Sequence, residues 1–213
     1  MDSTKPDQHS PFAALRQFIR PRAPVERCEL CSAALAPDHQ HLIVPASRQL
    51  LCCCDACAIL FSDREDARYQ RVPRRIQFLA DFRMTDAQWD SLLIPIGMAF
   101  FCTSTPLGHI VALYPSPAGA TESLLDLAAW SDLVRDNPIL AELEPDVEAL
   151  LVNRVGSTRE YYRVPIDKCY ELVGLIRANW RGLSGGSEVW EEIGRFFARL
   201  QQQSRPPSER SHA

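Results

Sequence analysis

Apolar positions along the chain recur with two periods, and the period identifies the element. Spacing of three and four places Phe12, Leu15 and Ile19 on one side of a short helix over Pro11 to Arg20. Pro11 suits its first turn, and Pro21 and Pro24 lie beyond its end. A Thr85-Asp-Ala-Gln88 capping box predicts a helix from Asp86 towards Leu93. Helical spacing returns over Thr121 to Arg135 (Leu124, Leu127, Ala128), with Pro138 as the stop. It returns again over Ile166 to Arg181 and Ser187 to Gln203, separated by Gly182 to Gly186. Strands are predicted around Arg75 to Ala80 and over Ile94 to Thr103, His109 to Tyr114, Val147 to Asn153 and Tyr161 to Val164. Ser104 to Gly108 is a turn signal, Pro115 to Gly119 breaks the strand pattern, and Gly156-Ser157 marks a hairpin.

These strands arrive in hairpin-like pairs and do not alternate singly with helices. That order predicts an α+β fold with an antiparallel sheet, not a doubly wound parallel one. Trp180, Trp190, Phe196 and Phe197 fall at helical spacing and should pack the last two helices together. The expected organisation is a loose N-terminus with a short helix over 1–24, a compact cysteine-rich unit over 25–62, an α+β domain over 63–203 and a disordered polar tail over 204–213.

Composition removes several classes. Of 213 residues, 46% are hydrophobic and 23% charged, with net charge −4. Such a chain is globular, and it is not a general binder of nucleic acid or membrane surfaces. No apolar run approaches the roughly 20 residues that span a bilayer, and the first 20 residues lack the apolar stretch of a signal peptide. A cytoplasmic location is expected. In a reducing compartment the eight cysteines read as metal ligands and buried thiols, not disulfides.

Four of those cysteines carry the chemistry. Cys28-Glu-Leu-Cys31 is followed after 22 residues by Cys54-Asp-Ala-Cys57. Two residues between thiolates let one tight turn aim both sulfurs at one ion, and two such turns close a tetrahedron. Cys28, Cys31, Cys54 and Cys57 are therefore the predicted metal ligands, in a zinc-ribbon or treble-clef-like unit. Zinc is the first choice, because a unit this small has little core of its own. Iron is the alternative. Rubredoxin-like proteins usually show Cys-Pro-x-Cys-Gly at each knuckle, whereas here Leu30 and Ala56 replace the proline and Ser32 and Ala58 the glycine. Cys52 could replace Cys54 in an alternative register; Cys52 and Cys53 read as packing thiols, with a redox or second-metal role as the sharper option.

Asp38-His39-Gln40-His41 resembles the histidine stretch of HNH nucleases, in which His39 or His41 would bind a catalytic metal or activate water. The later asparagine and final histidine of that motif are missing after Cys57. The competing reading places both histidines on a hairpin, near the metal shell or a partner. Arg68 to Arg83 holds five arginines and one acid. Arg68, Arg71, Arg74 and Arg75 are candidate partner-binding residues, while a DNA-binding role is disfavoured by the acidic chain and the lack of any C2H2 pattern. His109 reads as structural, Cys102 and Cys169 as core thiols, and the glycine-rich 182–186 as a linker without the ending of a P-loop. No nucleophile–base set is evident, and a non-enzymatic role is expected.

Three further runs are distinctive: Glu144 to Arg154, Tyr162 to Arg177 and Trp180 to Ile193. With Cys-Glu-Leu-Cys, His-x-His-Leu and Cys-x-Ala-Cys-x-x-Leu-Phe, they resemble a bacterial family of uncharacterised zinc-ribbon-like proteins encoded beside uptake nickel–iron hydrogenase and hydrogenase maturation genes. The resemblance covers about residues 12 to 200. It implies an accessory role in assembly, cofactor delivery or electron-transfer support, with a hydrogenase subunit or maturation factor as the partner. It also implies that Cys28, Cys31, Cys54 and Cys57 are the metal knuckles. The alternatives are a rubredoxin-like redox protein serving a hydrogenase, and an HNH-like nuclease or nucleic-acid binder.

Overall fold

The computed structural model describes residues 25–62, 68–124, 126–182 and 185–204. The helix expected over Pro11 to Arg20 and the tail beyond Ser204 lie outside the described residues. Two antiparallel sheets organise the rest. The smaller has the order β2-β1-β3, from β1 (Gln40–Val44), β2 (Gln49–Cys53) and β3 (Gln70–Arg71), with helix α1 (Asp55–Ser62) following β2. Its third strand thus lies beyond Ser62 and draws Arg71 into the sheet opposite Leu42.

The larger sheet has six strands. After β4 (Gln77–Phe78) and helix α2 (Asp86–Ser91) come β5 (Met98–Ser104), β6 (His109–Ser116) and β7 (Gly119–Ser123). Helix α3 (Leu127–Asp136), a 3-10 turn (Pro138–Glu142), β8 (Glu148–Asn153), β9 (Glu160–Pro165) and helices α4 (Ile166–Asn179) and α5 (Gly186–Gln203) complete the chain. The strand order is β4-β9-β8-β5-β6-β7, all antiparallel. The α+β class is therefore as the paired strands predicted.

Both faces of this sheet are covered. Met98, Phe100, Leu151 and Tyr162 face α4 and α5 and pack with Cys169, Leu172, Phe196 and Phe197. Ala99, Phe101, Leu150 and Val152 face the other way, against Trp89, Trp130, Leu133 and Leu140. Successive side chains on a strand point to opposite faces, so a strand with both faces covered carries a near-continuous apolar run, here Ala149 to Val152. Every residue of β8 is buried, including the polar Glu148 and Asn153 at its ends. Cys102 and Cys169 are core thiols as expected, and burial pushes Cys102 up to about 12. Phe196 and Phe197 face the sheet, while Trp180 and Trp190 meet edge to face, 6.5 Å between centroids, at the α4–α5 end.

Two expectations fail together between Pro115 and Arg135. Pro115 does not break the strand: β6 runs through it to Ser116 and turns at Pro117-Ala118 into β7, with Gly119 at φ 131°. Proline is tolerated there because β5 pairs with β6 only as far as Leu113, so Pro115 has one strand neighbour, not two. The predicted helix from Thr121 is a strand in its first three residues, which pair with Ala112 to Tyr114. The helix starts at Leu127, capped by Asp126, whose Oδ1 accepts the Ala128 N–H at 2.8 Å. Leu124, counted towards its apolar face, is 90% exposed. Elsewhere the differences are at ends: Gln77–Phe78 is shorter than Arg75 to Ala80, Ile94 to Gly97 precedes the strand proper, and α4 stops at Asn179. The Thr85–Gln88 capping box forms in full.

The small sheet is not a separate bead. Ile43 of β1 and Val72, just past β3, enter the core beneath α4 and α5, while Leu42, Val44, Leu51 and Cys53 pack a small core of their own with Cys28, Cys57 and Ala58.

Candidate metal centre

The first knuckle is built by backbone hydrogen bonds. Cys28 N donates to Ala33 O and Ser32 N to Cys28 O, both at 2.8 Å, and Leu35 N donates to Glu26 O at 2.9 Å. Ser32 adopts a left-handed φ of 61°, which lets the chain reverse tightly behind Cys31. The second pair sits where β2 gives way to α1. Cys54 precedes the helix and Cys57 lies in its first turn, with Cys57 N donating to Cys54 Sγ at 3.5 Å. Knuckle, β-hairpin and helix N-terminus in that order is the treble-clef arrangement, one of the two forms expected.

All four sulfurs lie within 4.8 Å of one another. Cys31 and Cys54 Sγ are 3.7 Å apart. A tetrahedron with metal–sulfur bonds of 2.3 Å has edges of about 3.8 Å, so this separation fits one ion. Burial opposes ionisation of Cys28, but the backbone N–H groups of Cys54, Cys31 and Leu30 overcome it and bring the thiol to about 6. Cys57 is held up by burial and by its three neighbouring sulfurs. One thiolate forms readily and repels the next, an arrangement that a dication relieves. The four cysteines can therefore hold a metal ion. Cys53, by contrast, is a packing thiol, buried at the core of the unit and pushed up to about 11.

The four candidate arginines do not form one patch. Arg75 is half exposed, but its tip turns inward: Nη2 lies 3.0 Å from Oε1 of fully buried Glu148. Arg71 Nε donates to Gln40 Oε1 at 3.1 Å, and Arg74 reaches exposed Asp38 at 3.3 Å. Arg68 lies over the Tyr69 ring. All four are exposed, and among the described residues Arg68, Arg71 and Arg74 lack a buried carboxylate partner of this kind. Helix α1, whose Phe61 ring centroid lies 6.3 Å from that of Tyr69, shows an apolar strip, Ile59, Leu60 and Phe61, 54%, 68% and 45% exposed, which the sequence reading passed over. A helix whose outer face is apolar is the available signal for it. His109 is exposed at the start of β6, with Nδ1 on Leu107 O. An apolar cavity of about 300 Å³ beside Trp180 and Trp190 is lined by Met98, Tyr114 and Ile176 but has no convergent ionisable set.

Fold and site together define an α+β protein in which a tetracysteine treble-clef unit is joined to a covered antiparallel sheet. The chain belongs to the family described as "Family of unknown function (DUF5947)", which it matches over residues 27–204. No curated protein and no solved structure matches it. Among the described residues no helix is long and apolar enough to cross a membrane.

Proposed function

We propose that this protein is a non-enzymatic, zinc-binding accessory factor that acts through protein–protein contacts in the assembly or maturation of a nickel–iron hydrogenase. The observation that carries the zinc assignment is the Cys28–Cys31–Cys54–Cys57 cluster. Four thiolates closing a tetrahedron leave no open position for substrate, which is the form of a structural zinc site. Its small core supports this, since the ion supplies the stability that packing lacks. The hydrogenase link rests on the resemblance of the motifs to proteins encoded beside hydrogenase genes. The docking surface in this reading joins Arg68, Arg71 and Arg74 to the apolar strip on α1. Arginines and large apolar side chains are the usual anchors of an interface. Arg75 is left out because Glu148 holds it.

The test is co-purification of the full chain from its native host, with metal analysis of the same sample. One zinc per chain in the tetracysteine site and a hydrogenase subunit or maturation factor in the eluate are expected. Reversing Arg71 and Arg74 to glutamate should weaken capture while zinc content and folding persist. A red, iron-loaded sample would instead establish the rubredoxin-like alternative. Equal capture by the double variant would remove the arginines from the interface.

A further inference from the structure

The sheet of the metal unit has a second face, and it carries a second set of ligand-type side chains. β1 and β2 pair so that His41 lies directly across from Cys52, and directly opposed residues share a face of an antiparallel ladder. His39 precedes His41 by two and joins that face. A ring nitrogen of His39, a ring nitrogen of His41 and Cys52 Sγ all lie within 4.8 Å of one another. The two rings meet edge to face, 4.9 Å between centroids. Leu42 and Cys53, at the alternate positions, point the other way into the core around Cys28 and Cys57.

Both histidines are held as metal ligands are held. His39 Nδ1 lies 2.9 Å from the Ala36 carbonyl oxygen, and His41 Nδ1 lies 2.8 Å from Asp167 Oδ2 in the first turn of α4. Each partner is an acceptor, so each ring donates through Nδ1–H, and a neutral ring then carries its lone pair on Nε2. A carbonyl or carboxylate on the far nitrogen is what fixes the tautomer of metal-binding histidines. Two atoms here lack partners. The His39 side chain is only 8% exposed, and its Nε2 is buried without a hydrogen bond. Asp167 Oδ1 is buried and unpartnered as well, although Oδ2 of the same carboxylate holds His41. Glu29 Oε1 accepts the Cys52 N–H at 2.8 Å, and Glu26 Oε2 lies 3.6 Å from His39 Nδ1, so the surroundings favour a cation.

The geometry points to a second metal site, His39–His41–Cys52, for a borderline divalent transition ion such as Zn²⁺, Co²⁺ or Ni²⁺. Two imidazoles and a thiolate suit that class of ion. Three protein ligands leave the fourth position to water or to a donor from a partner, unlike the closed tetracysteine site. An ion there would also tie the metal unit to α4 through Asp167.

The probe is Co²⁺ titrated into the zinc-loaded full-length protein, with zinc release followed in parallel. Uptake of one further equivalent is expected, without loss of the first zinc and with the sulfur-to-cobalt charge-transfer intensity of one thiolate. Cys52→Ser should abolish that band, and His41→Ala should abolish saturable uptake. Asp167→Asn, which leaves all three ligands in place, should weaken binding about 10–100-fold. Retention of the first zinc shows that each variant has folded; if one has not, the wild-type titration alone decides. No second equivalent, cobalt entering only by displacing zinc with four-thiolate intensity, or a band unchanged in Cys52→Ser would each overturn the site.

Discussion

Replacing Glu148 by glutamine should destabilise the large sheet, and the surroundings of the carboxylate set the size of the loss. Glu148 opens β8 with its side chain 0% exposed, and Arg163 on β9 is 4% exposed. Arg163 Nε lies 2.9 Å from both carboxylate oxygens, and its Nη2 also contacts Oε2. Arg75 Nη2 reaches Oε1 at 3.0 Å, and the Glu144 N–H donates to Oε2 at 3.0 Å. Glutamine has nearly the same shape and keeps one accepting oxygen, but it leaves the buried Arg163 charge with only the half-exposed Glu142 carboxylate, 3.8 Å away, as a counter-ion. Removing one partner of a buried pair costs about 3–5 kcal/mol. Arg75 is an internal control: its side chain is 48% exposed, and a pair of that kind is worth about 1 kcal/mol or less. In a chain of this size 1 kcal/mol moves the Tm by about 2–4 °C. Thermal melts should therefore show a fall of roughly 6–20 °C for Glu148→Gln and no more than about 4 °C for Arg75→Ala.

The pH dependence supplies a second check on the same residue. Burial alone would raise the Glu148 carboxyl, but Arg163, the Glu144 N–H and Arg75 more than offset it and hold it below its ordinary value of 4.5. A carboxyl lowered in the folded state contributes stability that is fully present above 4.5 and is lost as pH falls through the lowered value. Glutamine cannot titrate, so the gap between wild type and variant should narrow on acidification. A Glu148→Gln variant within about 1 kcal/mol of wild type, or a gap that does not change with pH, would refute the buried-pair argument.

Two further outcomes test the fold and the unit. Gly97→Ala should cost about 1–3 kcal/mol in urea unfolding, because a Cβ there would stand 2.8 Å from the Arg154 carbonyl oxygen; Gly174→Ala, in open space on α4, should instead gain up to about 1 kcal/mol. Chelation of the metal should strip hydrogen-exchange protection from Leu42, Cys53 and Ala58 while β5 and β8 keep theirs, since the first group packs only the small core; equal loss in both regions would mean that the ion holds the whole chain together.

What the chain's linear order determined was whatever depends on near neighbours. Two residues between cysteines favour a tight turn that aims both sulfurs one way, so the four cysteines now found within 4.8 Å of one another were legible before any contact was known. A capping box is closed within four residues, and the Thr85–Gln88 box forms as written. A strand buried on both faces needs an apolar run, and Ala149 to Val152 made β8 stand out. Tertiary structure decided what depends on pairing. Thr121 to Ser123 has helical spacing on paper, yet it joins the sheet because Ala112 to Tyr114 offer it a ladder. Arg75 is a surface arginine, and only the fold shows that its tip reaches buried Glu148, 73 residues later. His39, His41 and Cys52 each stood in view, but only the β1–β2 register sets His41 opposite Cys52. Only the packing of α4 brings Asp167, 126 residues away, to the His41 ring. Spacing encodes geometry within a turn; a site assembled across strands exists only once the hydrophobic faces have chosen their partners.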